Sequence, residues 1–248
     1  DKSIYYYTLA SNQNDSNAQY KLGTIYLKGK YIQQDINKAI HYFTLASNQN
    51  NVHAQFFLGY LYEEGKHVAH DINKSIYYYA LASNQNDSYA QYKLGIIYFE
   101  SQYIKQDINK AFHYFTLASN QNNANAQYKL GSIYLEGKYI QPNINKAIHY
   151  FTLSANLYNS NALIILGMIY LKGEHVQQDI NKSIRYISIS ASLNNPNALF
   201  MYGCLFYDGK YVKQDINKFI EYLTIAAKKK YYSSKLFPWM HLLERILC

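Results

Sequence analysis

The sequence repeats itself every 36 residues, without insertion or deletion, over most of its 248 residues. The same residue types return at this spacing, as in the alanine series from Ala18 to Ala198 and the isoleucine series from Ile36 to Ile216. The glycine series consists of Gly23, Gly59, Gly95, Gly131, Gly167 and Gly203. A period of this length is typical of repeat arrays, in which each short unit stacks on its neighbours.

The first half of each unit predicts a helix, which in the first complete unit covers about 16–28. Apolar residues such as Ala18 and Leu22 have the helical spacing of a buried stripe. Asp or Asn precedes the helix in every unit, and either side chain can cap the free N–H groups at a helix start. Glycine follows the helix in five units, beginning with Gly29, as expected for a left-handed terminating residue, and Ser101 replaces it in the sixth.

The second half predicts another helix, over about 36–49 in the same unit. Asp35 is its expected N-cap, and Ala39 and Phe43 belong to its apolar stripe. Asn50 and its equivalents follow the helix, where asparagine tolerates a left-handed backbone. Each unit is therefore a helical hairpin.

One hairpin cannot bury its own apolar face, so successive hairpins must stack. Small residues, such as Gly23 and Ala39, indicate where helices approach closely. We therefore expect an all-α protein, a right-handed α-solenoid (superhelix) of thirteen or fourteen helices in antiparallel pairs. The expected array comprises a partial repeat with a second helix only (1–14), six full repeats (15–50, 51–86, 87–122, 123–158, 159–194, 195–230) and a degenerate C-terminal capping helix (231–248).

The segments A-Q-Y-K-L-G-T-I-Y-L-K-G from Ala18 and D-I-N-K-A-I-H-Y-F-T-L-A from Asp35 resemble Sel-1-like repeats. This family is similar in fold to tetratricopeptide repeats and is known for adaptors in signalling and in membrane-protein quality control. Some members are attached to protein kinases or other effector domains. The resemblance implies a non-catalytic protein–protein interaction scaffold. The alternative is the regulatory or substrate-recruiting arm of a larger enzyme, for example a protein kinase, whose catalytic domain lies outside this sequence.

Composition narrows the classes of partner. The formal net charge is +8, but the lysines are spread along the chain, which favours a general basic background over a nucleic-acid site. No apolar run approaches the ~18 residues of a membrane span, so no membrane insertion is expected. Two cysteines make neither a disulfide framework nor a zinc site and fit a reducing, cytoplasmic compartment. The chain opens in mid-repeat without methionine, so we expect a monomeric array within a longer protein.

The sequence contains no catalytic motif, and we expect no cofactor. The best metal-ligand cluster is formed by Glu63, Glu64, His67, His70 and Asp71. It spans a helix end, a turn and the next cap, so its acidic and imidazole groups are poorly placed to meet at one ion. We therefore expect no metal site.

By analogy with tetratricopeptide repeats, the first helices line a concave wall. The series from Thr24 to Cys204 contains six different residue types, too varied for a fixed core position. The mostly aromatic series that begins at Tyr20 fits either that groove or the core between repeats. Five lysines and five acidic residues of this wall cancel, which disfavours nucleic acid and favours a peptide or a partner helix.

The predicted partner-binding residues are Tyr20, Thr24, Phe56, Tyr60, Tyr92, Ile96, Phe99, Tyr128, Ser132, Leu135 and Met168. The histidines His41, His113 and His149 share one position on the second helix, where other units have Tyr, Arg or Glu. Such tolerance indicates a solvated outer face. Lys38 and its equivalents follow the capping residue in each unit, which predicts a local charge pair with it.

Overall fold

A computed structural model describes residues 2–30 and 32–228, and within these residues the protein contains thirteen α-helices and no strand. The expected all-α repeat fold is confirmed. The C-terminal capping helix predicted over 231–248 lies outside the described residues. The helices are α1 (Lys2–Asn12), α2 (Ser16–Lys28), α3 (Ile36–Asn48), α4 (Val52–Glu64), α5 (Ile72–Asn84), α6 (Ser88–Glu100), α7 (Ile108–Asn120), α8 (Ala124–Glu136), α9 (Ile144–Asn156), α10 (Ser160–Lys172), α11 (Ile180–Ser192), α12 (Pro196–Asp208) and α13 (Ile216–Lys228).

The described residues form two compact units that divide between Ala126 and Gln127. Unit 1 contains α1 to α7, and each of these helices packs against the next along the chain. Unit 2 contains α9 to α13, which pack in the same sequential manner. The boundary falls within α8, near its start.

The helices begin and end where the local sequence signals predict. Asp15 accepts a hydrogen bond from the N–H of Ala18 at 2.6 Å, and Asp35 accepts one from the N–H of Lys38 at 2.9 Å. Gly29 closes α2 with φ of 61° and Asn50 follows α3 with φ of 60°, both in the left-handed region. The exception is Ser101 after α6, which is extended with φ of −63° where the equivalent glycines are left-handed.

Each core glycine admits an aromatic or aliphatic side chain of the following helix. At Gly23, an added Cβ would lie 2.6 Å from the Phe43 ring, and at Gly131 it would lie 2.7 Å from the Phe151 ring. Both rings are fully buried. The predicted close approach of the two helices is therefore present, because a phenylalanine fills the space over the glycine.

A stacked aromatic pair joins the two helices of each hairpin, and this pairing accounts for much of the tyrosine content. Tyr26 and Tyr42 lie parallel within 7°, with centroids 5.7 Å apart. The Nζ of Lys38 lies 5.2 Å from the centroid of Tyr26 and 3.7 Å from the carboxylate of Asp35. The predicted charge pair is present here, but the cation–π contact was not expected from the sequence. Equivalent ring pairs are Tyr62–Tyr78, Tyr98–Tyr114, Tyr134–Tyr150, Tyr170–Tyr186 and Phe206–Tyr222.

Within each hairpin of unit 1, a glutamine pair connects the first helix to the end of the second helix. The Nε2 of Gln85 donates to the Oε1 of Gln55 at 2.7 Å, and the pairs Gln49–Gln19 and Gln121–Gln91 have the same distance. The acceptors are almost completely buried, so these bonds satisfy polar groups that water does not reach. The equivalent of the donor in the next repeat is Leu157, followed by Tyr158 in a left-handed conformation with φ of 58°.

Candidate functional site

We call the positions equivalent to Tyr20, Thr24 and Leu27 on the first helices the first-helix stripe. Every predicted binding residue belongs to it. Tyr60 is exposed, at 36%, and the other ten are partly buried. Seven of them lie in unit 1, namely Tyr20, Thr24, Phe56, Tyr60, Tyr92, Ile96 and Phe99, and four lie in unit 2, namely Tyr128, Ser132, Leu135 and Met168.

Four aromatic residues of the Tyr20 series contact the core: Tyr20, Phe56, Tyr92 and Tyr128. Tyr20 lies 6.1 Å from Phe43 in its own hairpin and 5.9 Å from Phe57 in the next, measured between ring centroids. Tyr92 contacts Phe115 at 6.0 Å in the same manner. These rings therefore pack between helices and remain partly exposed, so the core interpretation of the series is present and their role in partner binding stays a prediction.

The series equivalent to Thr24 varies in exposure as well as in residue type. Thr24 donates its hydroxyl to the carbonyl of Tyr20 at 3.0 Å, whereas the Tyr60 ring is exposed. Cys204 at the last equivalent position is buried at 7%, and burial raises the pKa of its thiol to about 11. Exposure in this series therefore ranges from the exposed Tyr60 to Cys204, which belongs to the core.

A polar network crosses the stripe in unit 1. The hydroxyl of Tyr79 donates to Oε2 of Glu63 at 2.6 Å, and Nζ of Lys93 lies 2.9 Å from the same oxygen. The Lys93 Nζ also lies 5.9 Å from the centroid of the Tyr60 ring. Burial, followed by the nearby charge of Glu63, raises the pKa of Tyr79, so its hydroxyl stays protonated and acts as a donor. Sequence reasoning counted Glu63 and Lys93 among the wall charges but did not pair them.

A cavity of about 280 Å³ lies at one end of this network, where α4 and α6 end. The lining residues are Glu63, His70, Ile72, Ile96, Ile97, Glu100, Ser101, Gln102 and Tyr103. Glu63 comes from α4, and Ile96, Ile97 and Glu100 come from α6. The other lining residues come from the turns and the start of α5. The cavity therefore opens beside the stripe. Sequence reasoning missed it because its walls come from two successive hairpins.

The two other groups that the sequence singled out are the metal-ligand cluster around His67 and the three histidines of the second helices. In residues 2–30 and 32–228, no three His, Cys, Asp or Glu side chains are arranged to hold one metal ion. Asp71, one of the residues considered and rejected as metal ligands, accepts from the N–H of Lys74 at 3.0 Å and caps α5. The histidines predicted to be solvated are all exposed: His41, His113 and His149.

Comparison with known proteins shows which family has these hairpins. The profile of the Sel1 repeat matches residues 1–15, 16–51, 52–87, 88–123, 124–159, 160–195 and 196–231. The chain belongs to the Sel1 repeat family. Sel1 repeat proteins are generally protein-interaction scaffolds and are typically non-catalytic. A search of curated proteins by sequence gives no match.

Solved Sel1 repeat structures share the fold. A Sel1 repeat protein from Oxalobacter formigenes has a TM-score of 0.82 and 27% identity, over 88% of this chain and 89% of that one. The protective antigen c5321 of uropathogenic Escherichia coli, which displays an SLR fold, has a TM-score of 0.84 and 24% identity, over 91% of this chain but 48% of the antigen. The immunity protein PA5088 from Pseudomonas aeruginosa has a TM-score of 0.59 and 17% identity, over 91% and 85%. Because their sequence identity is low, the antigen and the immunity protein show only that the fold is shared.

Among the described residues, no helix combines the length and the apolar character that crossing a bilayer requires.

Proposed function

We propose that this Sel1 repeat chain binds a peptide segment or a partner helix along its first-helix stripe, with unit 1 as the main contact. The observation that carries the proposal is the exposed ring of Tyr60 on α4, together with the partly buried Ile96, Phe99 and Tyr92 on the first helix of the next repeat. Aromatic and aliphatic side chains in such a cluster are the usual anchors of a protein interface. The partner is a protein and not a nucleic acid, because acidic residues balance the lysines on the first helices, as Glu63 does Lys93.

The stripe presents side chains that are already ordered. Tyr92 and Phe99 both contact Phe115, with centroid distances of 6.0 and 6.1 Å, and Phe115 is fully buried. Because packing already restricts these rings, little further rotamer entropy is lost when a partner contacts them. The packing of these rings therefore pre-organises this part of the surface for binding.

The ion pair of Glu63 and Lys93 can fix the position of a bound segment along the apolar contact. The ion pair of Lys93 and Glu63 is partly exposed, with side-chain accessibilities of 27% and 21%. A bound segment that covers the pair would strengthen it by excluding water, and a segment with a misplaced like charge would be rejected. We therefore expect the apolar residues to supply affinity and the charges to supply selectivity.

The test begins with random displayed peptides selected on the whole chain and then titrated against variants. Tyr60→Ala is expected to weaken the selected peptides at least ~10-fold, since an anchoring aromatic contributes about 2 kcal/mol. Tyr60 is exposed, so this variant should retain its helical signal and melting temperature. Phe99→Ala should weaken the same peptides, but it also removes a core contact, so its folding must be measured beside its affinity.

The control is a triple variant on the opposite face, His41→Glu with His113→Glu and His149→Glu. These side chains are exposed on second helices, and their charges are screened from the stripe at physiological salt. The triple variant should bind as the wild type does. Peptides that tolerate Tyr60→Ala but are lost with the triple variant would move the binding site to the second helices.

A further inference from the structure

Two neighbouring first helices of unit 1 carry an exposed tyrosine where the other repeats have smaller residues. Tyr60 on α4 is equivalent to Thr24, and the remaining repeats have Ile, Ser, Met or Cys at that position. Tyr89, the second residue of α6, is equivalent to Asn17, and the remaining repeats have Asn or His there. Tyr60 is 36% exposed and Tyr89 is 64% exposed. Both rings are therefore local departures from the repeat pattern.

The tyrosine at position 89 replaces a residue that can make a hydrogen bond between repeats. In the first repeat, Nδ2 of Asn51, the N-cap of the next first helix, donates to Oδ1 of Asn17 at 3.1 Å. Tyr89 has no amide oxygen, and the equivalent capping residue Asn123 donates to the carbonyl of Ser88 at 3.2 Å. An exposed ring thus stands where a polar contact between repeats could be. Tyrosine combines an apolar ring with a polar tip and is enriched at interfaces, so Tyr89 points to a contact with a partner.

Phe56 joins the two tyrosines into one surface. The Phe56 ring lies 6.5 Å from the Tyr89 ring in an edge-to-face contact, measured between centroids. On its other side, Phe56 lies 5.5 Å from the ring of Tyr79, which is fully buried. Phe56 and Tyr60 are four residues apart on α4, so they share one face of this helix. We call Phe56, Tyr60 and Tyr89 the aromatic platform.

The aromatic platform is uncharged, and the charge beside it is balanced. Nζ of Lys93, one turn after Tyr89 on α6, lies 5.9 Å from the centroid of the Tyr60 ring. The same Nζ pairs with the carboxylate of Glu63 at 2.9 Å. An uncharged segment therefore complements the platform better than a charged one.

The exposed area of the platform suits a short segment. The exposed fractions of Tyr60 and Tyr89 together equal about one tyrosine side chain, or roughly 150–250 Å². A stable complex of two folded proteins needs about 800 Å² on each partner. The platform by itself therefore accommodates a few residues of a peptide and not a second copy of this chain.

We propose that the aromatic platform binds a proline-rich segment in the polyproline II conformation. The proposal rests on the proposed function and names the class of its partner. Grooves lined by aromatic side chains bind such segments, which are already extended and lose little conformational entropy. The carbonyl groups of polyproline II make no internal hydrogen bonds, so they can accept from the tyrosine hydroxyls.

The period of polyproline II matches the spacing of the helices. This conformation has three residues per turn and a rise of ~3.1 Å, so prolines on one edge recur about every 9 Å. The side-chain contact between Phe56 and Tyr89 brings α4 and α6 together, and packed helices have axes about 8–10 Å apart. Prolines three residues apart can therefore contact the rings of two successive first helices.

The probe is an L-proline nonamer with acetylated and amidated ends. It is titrated into the isotope-labelled whole chain and followed by the backbone amide signals of Tyr60 and Tyr89. The matched control is the D-proline nonamer, which has the same composition and apolar area but the opposite helical hand. The L-nonamer should shift both signals to saturation, and the D-nonamer should bind much more weakly. Equal affinity of the two nonamers, or no shift at either amide, would overturn the proposal.

Tyr89→Ala is the test variant, and Tyr77→Ala is its matched control. Tyr77 is 59% exposed and makes an edge contact with Tyr78 at 5.1 Å, but it lies on the second helix α5. Tyr89→Ala should weaken the L-nonamer about fivefold through the loss of one aromatic contact, and Tyr77→Ala should leave its affinity unchanged. Equal losses would mean that the nonamer adsorbs to exposed tyrosines in general, which refutes the platform. The amide spectra report whether either variant is misfolded.

The displayed peptides separate this proposal from the proposed function. If they depend on Tyr60 but the L-nonamer does not bind, the proposed function is retained and the proline-rich partner is rejected. If no displayed peptide depends on Tyr60, the proposed function is rejected, and the platform still stands or falls on the Tyr89→Ala titration. Where both hold, the selected peptides should contain prolines three residues apart, and alanine at these prolines should abolish their sensitivity to Tyr89→Ala.

Discussion

Replacement of Gly131 by alanine should destabilise the protein, although alanine is the better helix former. The glycine lies in the middle of α8, and a Cβ built there would be 2.7 Å from Cδ1 and 2.8 Å from Cε1 of Phe151. Ordinary carbon contacts are ~3.5–4.0 Å, so the ring would have to retreat by about 0.8 Å. Phe151 is fully buried against Ala162, Leu163 and Leu166, so it has no space into which to move.

The net change in the free energy of unfolding is the difference between a gain in helix propensity and a cost of overpacking. Alanine in place of glycine in a helix gains about 1 kcal/mol of propensity. Insertion of a methyl group into a packed core costs about 1–3 kcal/mol. We expect Gly131→Ala to lower the free energy of unfolding by about 1 kcal/mol, and the larger Gly131→Leu to lower it by 3 kcal/mol or more, because no rotamer of leucine avoids the ring.

Gly203→Ala is the matched control. Here the nearest atom to an added Cβ is Cβ of Tyr222 at 3.2 Å, followed by the carbonyl oxygen of Phe219 at 3.5 Å. Tyr222 is only partly buried on α13 and can shift by a few tenths of an ångström. The propensity gain should therefore offset the contact, and the free energy of unfolding should change by less than about 0.5 kcal/mol.

Urea unfolding followed by far-ultraviolet circular dichroism measures both variants, and a double-mutant cycle identifies the cause. In a Phe151→Ala background, Gly131→Ala has no ring to displace and should be neutral or stabilising. The coupling free energy between the two positions should therefore be at least about 1 kcal/mol. An alanine at Gly131 that costs the same in both backgrounds, or that is tolerated as well as Gly203→Ala, would refute steric contact with the ring as the reason for the glycine.

Three further predictions concern single residues. Tyr158→Asn should raise the free energy of unfolding by about 1 kcal/mol, because Tyr158 has φ of 58° and a bulky side chain rarely adopts that conformation. A lower melting temperature of this variant would contradict the prediction. Gln85→Leu should lower the free energy of unfolding by about 1–3 kcal/mol, since it leaves the buried Oε1 of Gln55 without its 2.7 Å donor; unchanged urea unfolding would show that the bond is dispensable. In a Cys248→Ser background, Cys204 should react with iodoacetamide far more slowly than a free thiol at pH 8, because burial disfavours its thiolate. The reaction rate should rise as the pH approaches the Cys204 pKa of about 11, and rapid labelling of the folded protein at pH 8 would disprove this.

The helices, their caps and their order were predictable from the sequence because their determinants are local. Asp35 and Gly29 act on backbone groups a few residues away, and six parallel copies of each signal distinguish the required residues from the incidental ones. Ser101 was recognisable as an irregularity in this pattern. Its extended backbone was not predictable, since a serine at a helix end has several accessible conformations.

The contacts between helices were decided only by the tertiary structure. Tyr79 and Glu63 are 16 residues apart, and Gln85 and Gln55 are 30 residues apart, so their pairing depends on which helix faces meet. The sequence determined that Tyr20 and its equivalents are aromatic and that the Thr24 series is variable. The packing of successive hairpins decides how much of each of these side chains faces solvent. It also brings Glu63, Glu100 and Tyr103 to one cavity. Both results depend on the packing angle and the turn geometry of two hairpins, which no single repeat encodes.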